Sequence, residues 1–298
     1  MTRILVIRLG ALGDFCNSFP AFAAIRAHHT GDQVTLLTTA PFVALALESP
    51  WFDQVRVDRR PGWLDLPGLW RLRSQLRGFA MVYDLQTSGR SSKYFLLAGR
   101  PPWSGIAAGC AFPDRNPGRG ALPTVARQRA QLEQACVPPC APDLSWLAGR
   151  GPDVSAPYAL LVPGTSAAHG GAKQWPLDRF AALARALAAR GVTPVIAGAA
   201  ADAADAAAIL AACPGAIDLT GRTDLPGLAG LAHRAALAVG GDTGPIHLAG
   251  MMGCRTIALF SRFSDPANAT PEGPCTVLRA DRLADLSLAA VAAALPSL

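Results

Sequence analysis

The strongest constraint on this chain's fold is a recurring unit. A short, almost wholly apolar run ends in glycine or a small polar residue, and a helix-length stretch follows. The first such run is RILVIRL, residues 3–9, closed by Gly10. An apolar run that does not alternate with polar residues marks a strand covered on both faces, as in a parallel sheet between helical layers. QVTLLTT (33–39) and MVYDLQ (81–86) continue the series, with a helix-like stretch at 15–28. A second series begins at residue 158 with YALLVP, followed by TPVIAG (193–198), AIDLT (216–220), AALAVG (235–240) and TIALF (256–260). Helix-like stretches at 177–190, 201–212 and 225–234 separate them, and one near 283–295 closes the chain. Residues 101–142 break the rhythm with Pro, Gly and Arg and read as irregular loops around one helix, 125–135. The alternation predicts an α/β chain. A length of 298 residues suits two domains, 1–150 and 151–298, meeting near 145–157 across a ligand-sized cleft.

Several classes are disfavoured. No apolar run reaches the roughly 18 to 20 residues that cross a bilayer, and the first residues lack the small-residue cleavage site of a signal peptide, so a cytoplasmic location is expected. The seven cysteines are scattered and odd in number, which suits a reducing compartment better than a disulfide framework. Cys136 and Cys140, in CVPPC, have no second Cys/His pair at zinc spacing, so an ordinary loop is the better reading there. The net charge of +6 is carried almost wholly by arginine, Lys93 and Lys173 being the only lysines. Arginines cluster in the first half at Arg56, Arg59, Arg60, Arg71, Arg73, Arg77, Arg90 and Arg100. That favours an anionic partner such as a nucleotide, a phosphorylated sugar or an anionic lipid surface. Nucleic acid is disfavoured, because no interleaved basic and aromatic groove motif occurs.

Ligands of open parallel sheets sit beyond the carboxyl ends of the strands, and three polar clusters fall at such ends. In Gly10-Ala-Leu-Gly13-Asp14 the glycines permit close backbone approach, and Asp14 is either a helix N-cap or a group facing a ligand. The turn lacks the GxGxxG of nicotinamide-cofactor sites, although Asp32 stands at about the right distance for a ribose carboxylate. Pro163-Gly164-Thr165-Ser166 and Lys173-Gln-Trp-Pro176 have the composition of a phosphate cradle without a Walker A ending. In VGGDTGPIHLAGMMG (239–253) Val239 ends a strand and Gly240 and Gly241 make a turn. Asp242, Thr243, Gly244 and Pro245 then open a helix whose first amides would face a diphosphate. His247 could reach the same ligand, or it could be a core histidine with Asp242 as N-cap. No Asp-x-Asp occurs, so a bound diphosphate would be met by amides, hydroxyls, Lys173 and arginines rather than by a chelated cation.

ILVIRLGALGD followed by Pro20, PGTS with KQWPLDRF, the block from DLTGRTDLP to DTGPIHLAGMMG, and IALFSRFSDP together resemble glycosyltransferase family 9, the ADP-heptose:lipopolysaccharide heptosyltransferases. The similarity runs in order over most of the chain and is strongest from 219 to 266. It implies a GT-B fold of two Rossmann-like domains, the first binding acceptor and the second nucleotide sugar, with the last helix able to pack back on the first domain. It also implies metal-independent, inverting transfer of a sugar, expected to be heptose, from an ADP-sugar to a lipopolysaccharide-core or other surface-glycan acceptor. No cofactor beyond the donor is expected, and the cytoplasmic membrane face would supply the acceptor. By position in its motifs, Asp14 matches the catalytic base and Lys173 a donor-phosphate contact. Gly164, Thr165 and Ser166 match the phosphate loop, and Asp242, Thr243, Gly244 and His247 match the D-[ST]-G-x-x-H donor motif, with Gly10 and Gly13 in the turn before the base. Where the family often carries an acidic ribose contact, this chain has Gly198 and three alanines before Asp202. A nucleotide-sugar binder without transfer activity is the alternative, and a nicotinamide oxidoreductase is a distant third.

Overall fold

A computed structural model describes residues 1–165 and 173–297, which divide into two compact units, Met1–Asp143 and Leu144–Leu298. The first unit runs β1 (Arg3–Ile7), α1 (Leu12–Cys16), α2 (Phe19–His28), β2 (Gln33–Thr38), α3 (Val43–Glu48), β3 (Gln54–Val57) and α4 (Leu66–Leu76). It continues with β4 (Met81–Asp84), α5 (Gly89–Ala98), β5 (Trp103–Gly105), β6 (Phe112–Pro113) and α6 (Thr124–Gln134). The second begins with α7 (Ser145–Ala148), β7 (Tyr158–Val162), α8 (Leu177–Ala188), β8 (Thr193–Ile196), α9 (Ala203–Ala212), β9 (Ile217–Asp218) and α10 (Leu225–Arg234). It ends with β10 (Leu237–Gly241), α11 (Gly244–Met251), β11 (Thr256–Phe260), α12 (Pro266–Ala269), β12 (Cys275–Arg279) and α13 (Leu288–Ala293).

Among the described residues each unit holds one six-stranded parallel sheet, ordered β3-β2-β1-β4-β5-β6 in the first and β12-β11-β10-β7-β8-β9 in the second. Counted from its own first strand, the second sheet has the order of the first. Both are doubly wound, and the connection reverses direction between β1 and β4 and between β7 and β10. That reversal leaves a crevice at the carboxyl ends of the two central strands, where open α/β sheets bind ligands. The residues that follow β1, β4, β7 and β10 are therefore the ones the topology places for chemistry.

The central strands are buried because helices cover both faces. Ile4 to Ile7 and Ala159 to Leu161 are at most 1 % exposed. The expected helix over 15–28 is two helices. Pro20 has no N–H to give the Cys16 carbonyl and its ring clashes there, so the chain restarts at Phe19 with proline in the first turn. Phe15 stacks on Phe42 at 4.5 Å, and Phe19, Phe22 and Trp51 complete an aromatic knot that fixes both short helices.

Other differences from the sequence reading lie where strands are short. Residues 101–142 contain β5 and β6 as well as the expected helix, and β12 follows β11 before the end of the chain. The closing stretch is a single 3-10 turn, Leu283–Asp285, and then α13, whose N-cap Ser287 accepts from the Ala290 amide at 3.2 Å. The core contacts of α13 are in the second unit, where Val291 is fully buried with Leu183 and Leu187 of α8. All seven cysteines are free thiols, and no helix among the described residues is long and apolar enough to cross a membrane.

Candidate active site

At the switch point of the first sheet, β1 delivers the chain to Gly10 with φ +121°, where a Cβ would stand 3.0 Å from the Phe42 ring. The bend demands glycine, and it turns the chain directly into α1. Gly13 is the second residue of α1, and its carbonyl accepts from the Asn17 amide at 2.9 Å. Asp14 is the third, so it is not the N-cap; Ala11 occupies that position. Its side chain is 44 % exposed, and one carboxylate oxygen is held from two sides. Thr124 Oγ1, at the start of α6, donates to Oδ1 at 3.0 Å, and Arg8 Nη2 lies 3.2 Å from the same atom. Neither contact uses Oδ2.

Arg8 is the unexpected member of this group. It stands at the end of the apolar run that defines β1 and is only 1 % exposed. Its Nη1 donates to the Leu85 carbonyl at 2.7 Å. Burial pulls its guanidinium below the usual arginine value and the Asp14 carboxylate pulls it back. Arg127, one turn into α6, donates to Thr124 Oγ1 at 3.2 Å, and burial together with the charge of Arg119 lowers it as well. Arg60 reaches the Leu9 carbonyl at 2.9 Å. A carboxylate with Oδ2 outside these contacts can accept a proton from a hydroxyl, and the cations around it attract an anionic substrate. At the end of β4 the buried Asp84 accepts from the Gln86 and Thr87 amides, and Gln86 Oε1 in turn accepts from the Leu9 amide at 2.8 Å, bracing the Gly10 bend.

Arg8, Thr124 and Arg127 were not foreseen. A charge inside an otherwise apolar strand run was the available signal for Arg8; Thr124 and Arg127 gave none, since they reach Asp14 only through the fold. Asp32, the candidate ribose carboxylate, is taken up locally: it accepts from the Thr2 amide at 2.8 Å and pairs with His29 Nδ1 at 3.2 Å.

The second unit repeats the arrangement at its own switch point. Gly240 and Gly241 are the last residues of β10 rather than a turn. A Cβ on Gly240 would meet Ile246 and the Val162 carbonyl at 2.9 Å, and one on Gly241 would stand 3.1 Å from the Lys173 carbonyl. Their bareness lets Thr165, the Lys173 backbone and the start of α11 close over the strand end. Thr165 lies beside Gly241, its Cγ2 3.9 Å from that Cβ position, and Gly164 makes room for the Asp202 carboxylate. Ser166 lies outside the described residues.

Thr243, not Asp242, is the N-cap of α11, and its Oγ1 donates back to the Gly241 carbonyl at 3.3 Å. Asp242 Oδ1 lies 3.1 Å from His247 Nε2, and Asp242 Oδ2 lies 3.7 Å from Lys173 Nζ. Burial alone would raise the Asp242 carboxyl, but His247, Ser264 and Lys173 outweigh it and hold it below the ordinary value. Lys173 is positioned by its neighbour: Trp175 is 1 % exposed, meets Phe180 edge-on at 5.0 Å and donates its Nε1 proton to the Leu286 carbonyl at 2.9 Å. Gln174 bonds Asp205 at 2.7 Å, leaving Lys173 as the member of KQWP that faces the strand ends. Gly244 opens α11; Pro245 has no N–H and the Ile246 and His247 amides bond the Thr243 carbonyl at 3.1 and 3.2 Å, so the Gly244 amide is the first-turn donor that the helix itself leaves over, at the end of the unit where Lys173 stands. Among the described residues no group of three His, Cys, Asp or Glu side chains is placed to hold a metal.

Two doubly wound parallel sheets with polar clusters at both switch points define a GT-B protein, and solved structures agree. Escherichia coli heptosyltransferase WaaC, solved with ADP, matches with a TM-score of 0.81 at 20% identity over 98% of each chain. Escherichia coli ADP-heptose lipopolysaccharide heptosyltransferase II matches at 0.73 and 20% identity, over 97% of this chain and 96% of the other. A Veillonella parvula family 9 glycosyltransferase matches at 0.75 and 20% identity, over 94% and 86%. Residues 69–276 match the family model "Glycosyltransferase family 9 (heptosyltransferase)", and the chain belongs to that family. A putative glycosyltransferase of Haemophilus influenzae is 38% identical over 60 residues, which are 20% of this chain and 17% of that protein's length.

Proposed function

We propose that this protein is an inverting, metal-independent glycosyltransferase that moves a heptose from an ADP-sugar to a lipopolysaccharide-core or other surface-glycan acceptor at the cytoplasmic face of the membrane. The first unit holds the acceptor and the second holds the donor. One observation carries the reading: a half-exposed carboxylate, Asp14, stands at a strand-end switch point with one oxygen fixed by Arg8 and Thr124.

The residues suffice for the chemistry. The acceptor hydroxyl attacks the anomeric carbon and passes its proton to Asp14 Oδ2. The new carbon–oxygen bond forms as the bond from that carbon to the diphosphate breaks, and ADP leaves with the electron pair from the opposite face. Charge gathering on the diphosphate is met by Lys173, the Gly244 amide and the positive end of the α11 dipole, fixed charge and dipoles that need no reorganisation during the reaction. Arg60 and Arg127 favour an acceptor that carries phosphate. The ADP bound by WaaC supports adenine as the base, and Lys173 with the start of α11 supports a diphosphate held without a chelated metal.

Asp14→Asn tests the reading, because it keeps the shape of the side chain and removes its basicity. Transfer should fall by roughly 10²- to 10⁴-fold while the thermal shift with ADP is retained. Transfer at the wild-type rate would remove Asp14 as base. A melting temperature that responds to NAD(H) and not to ADP or its sugars would overturn the donor assignment, and ADP binding by wild-type protein that never transfers would leave a nucleotide-sugar binder.

A further inference from the structure

The segment between β3 and α5 exposes large apolar side chains where a soluble surface would place polar ones. Leu64 is 97% exposed, Leu66 73%, Trp70 68% and Trp63 41%. They fall within residues 63–70, in the loop before α4 and its first two turns. The helix is amphipathic in an unusual sense. Leu72 and Leu76 face the core with Gly68, while Leu66, Trp70 and Arg73, at helical spacings of four and three, form the outer stripe. Its outer face is thus apolar at one end and cationic at the other.

The surrounding charge has one sign. From 59 to 100 the sequence holds Arg59, Arg60, Arg71, Arg73, Arg77, Arg90, Lys93 and Arg100 against two carboxylates. Asp84 is buried, so at the surface these eight cations face one exposed carboxylate, Asp65, which caps α4 through the Gly68 amide at 2.9 Å. The Arg90 guanidinium and the Lys93 ammonium lie 5.1 and 4.8 Å from the centre of the Trp63 ring, and Leu96 is exposed one turn beyond Lys93 on α5. An indole between two cations, next to bare leucines and a second tryptophan, is built for an interface that is apolar within and anionic at its edge.

We infer that the loop around Trp63 and Leu64, with the exposed faces of α4 and α5, is a docking surface for an anionic lipid bilayer. Trp63, Leu64, Leu66 and Trp70 enter the headgroup boundary and the arginines and Lys93 meet lipid phosphates. The occupant follows from charge complementarity. A second copy of this chain would set a cationic rim against an equally cationic rim, whereas anionic headgroups neutralise it, each cation near the surface raising affinity about fivefold. The inference deepens the proposed function, on which it rests for the membrane as the acceptor's home, and it gives that contact an address separate from Asp14.

Vesicle flotation without donor or acceptor tests it. Wild-type protein should float with vesicles of phosphatidylglycerol mixed into phosphatidylcholine, stay behind with phosphatidylcholine alone, and be released by salt. The double variant L64E/W70E, at positions that support no core, should lose roughly tenfold or more in vesicle affinity, and R71Q/R73Q should lose affinity for the anionic vesicles. Both should keep the thermal shift with ADP, which shows that they are folded. Wild-type protein that does not float, an L64E/W70E variant that floats as well as wild type, or a wild-type dimer that L64E/W70E turns into a monomer overturns the inference. Flotation without any ADP response would instead refute the transferase reading and leave the docking surface standing.

Discussion

Asp84 offers the sharpest test of how the first unit balances charge beneath its site. It ends β4 opposite Ile7 of β1, is fully buried, and gives one carboxylate oxygen to the Gln86 and Thr87 amides. Burial raises its carboxyl from an ordinary 3.8 to about 6, against the pull of those amides, of Ser91 and of Arg8. The sign follows from linkage. As pH rises from about 4 to about 6 the unfolded chain has released this proton and the folded chain still holds it, so stability falls across that window and levels above it. A span of about two pH units at about 1.36 kcal/mol each comes to roughly 3 kcal/mol.

Asp84→Asn copies the protonated side chain. It should match the parent in stability near about pH 4 and exceed it by up to roughly 3 kcal/mol near about pH 8, because it never meets the cost of burying the charge. Urea unfolding read by pulsed hydrogen–deuterium labelling of β1 and β4 keeps the readout on the first unit. Stability curves of parent and variant that run parallel across the window would refute the reasoning. They would mean that the amides, Ser91 and Arg8 together balance the desolvation of Asp84.

Thr124→Val removes the hydroxyl that holds Asp14 Oδ1 and keeps the volume. Because Asp14 is half exposed, the loss should sit near the low end for a charged hydrogen bond, about 1–2 kcal/mol or roughly 5- to 30-fold in kcat. Donor affinity should not change and Thr124→Ser should restore the rate; a kcat equal to wild type would show that Arg8 alone suffices. Lys173→Met should weaken ADP binding roughly tenfold to a hundredfold in calorimetry. An unchanged Kd would mean that the ammonium serves Asp242 and not the diphosphate. Trp175→Ala should cost about 3–5 kcal/mol, lowering the second unit's melting temperature by roughly 10 °C. Trp175→Phe should keep most of that stability, and a melting temperature of the Ala variant equal to wild type would contradict the role of Trp175 as anchor of the Lys173 loop.

What could be read in the sequence and what could not divide along one physical line. Strands covered on both faces announce themselves as apolar runs, so β1, β2, β4, β7, β8, β10 and β11 were legible, as was the short β9 within AIDLT, and with them the α/β class. β5 and β6 are three and two residues long and contain Gly and Pro, too short for any period to show. The polar clusters after β1, β7 and β10 were legible because glycine next to Asp, Thr and Lys has no place in a core. Their internal wiring was not. Asp242 was also readable as an N-cap, and only three-dimensional contact shows that its carboxylate answers to His247, Ser264 and Lys173.

The deeper omission was strand order, since apolar runs name strands but not neighbours. Both sheets adopt one order, which puts β4 beside β1 and β10 beside β7. That choice makes the turns after β1 and β4 adjacent, so that Gln86 braces Leu9, and it brings Gly241 against the loop that carries Lys173. Arg8 shows the same dependence. A guanidinium at the end of an apolar strand is costly unless an anion waits there, and the fold supplies one by bending the chain at Gly10 so that α1 returns Asp14 to it. The buried cation therefore fixes where the Asp14 carboxylate points, so the charge that the strand pattern left unexplained is what positions the proposed base.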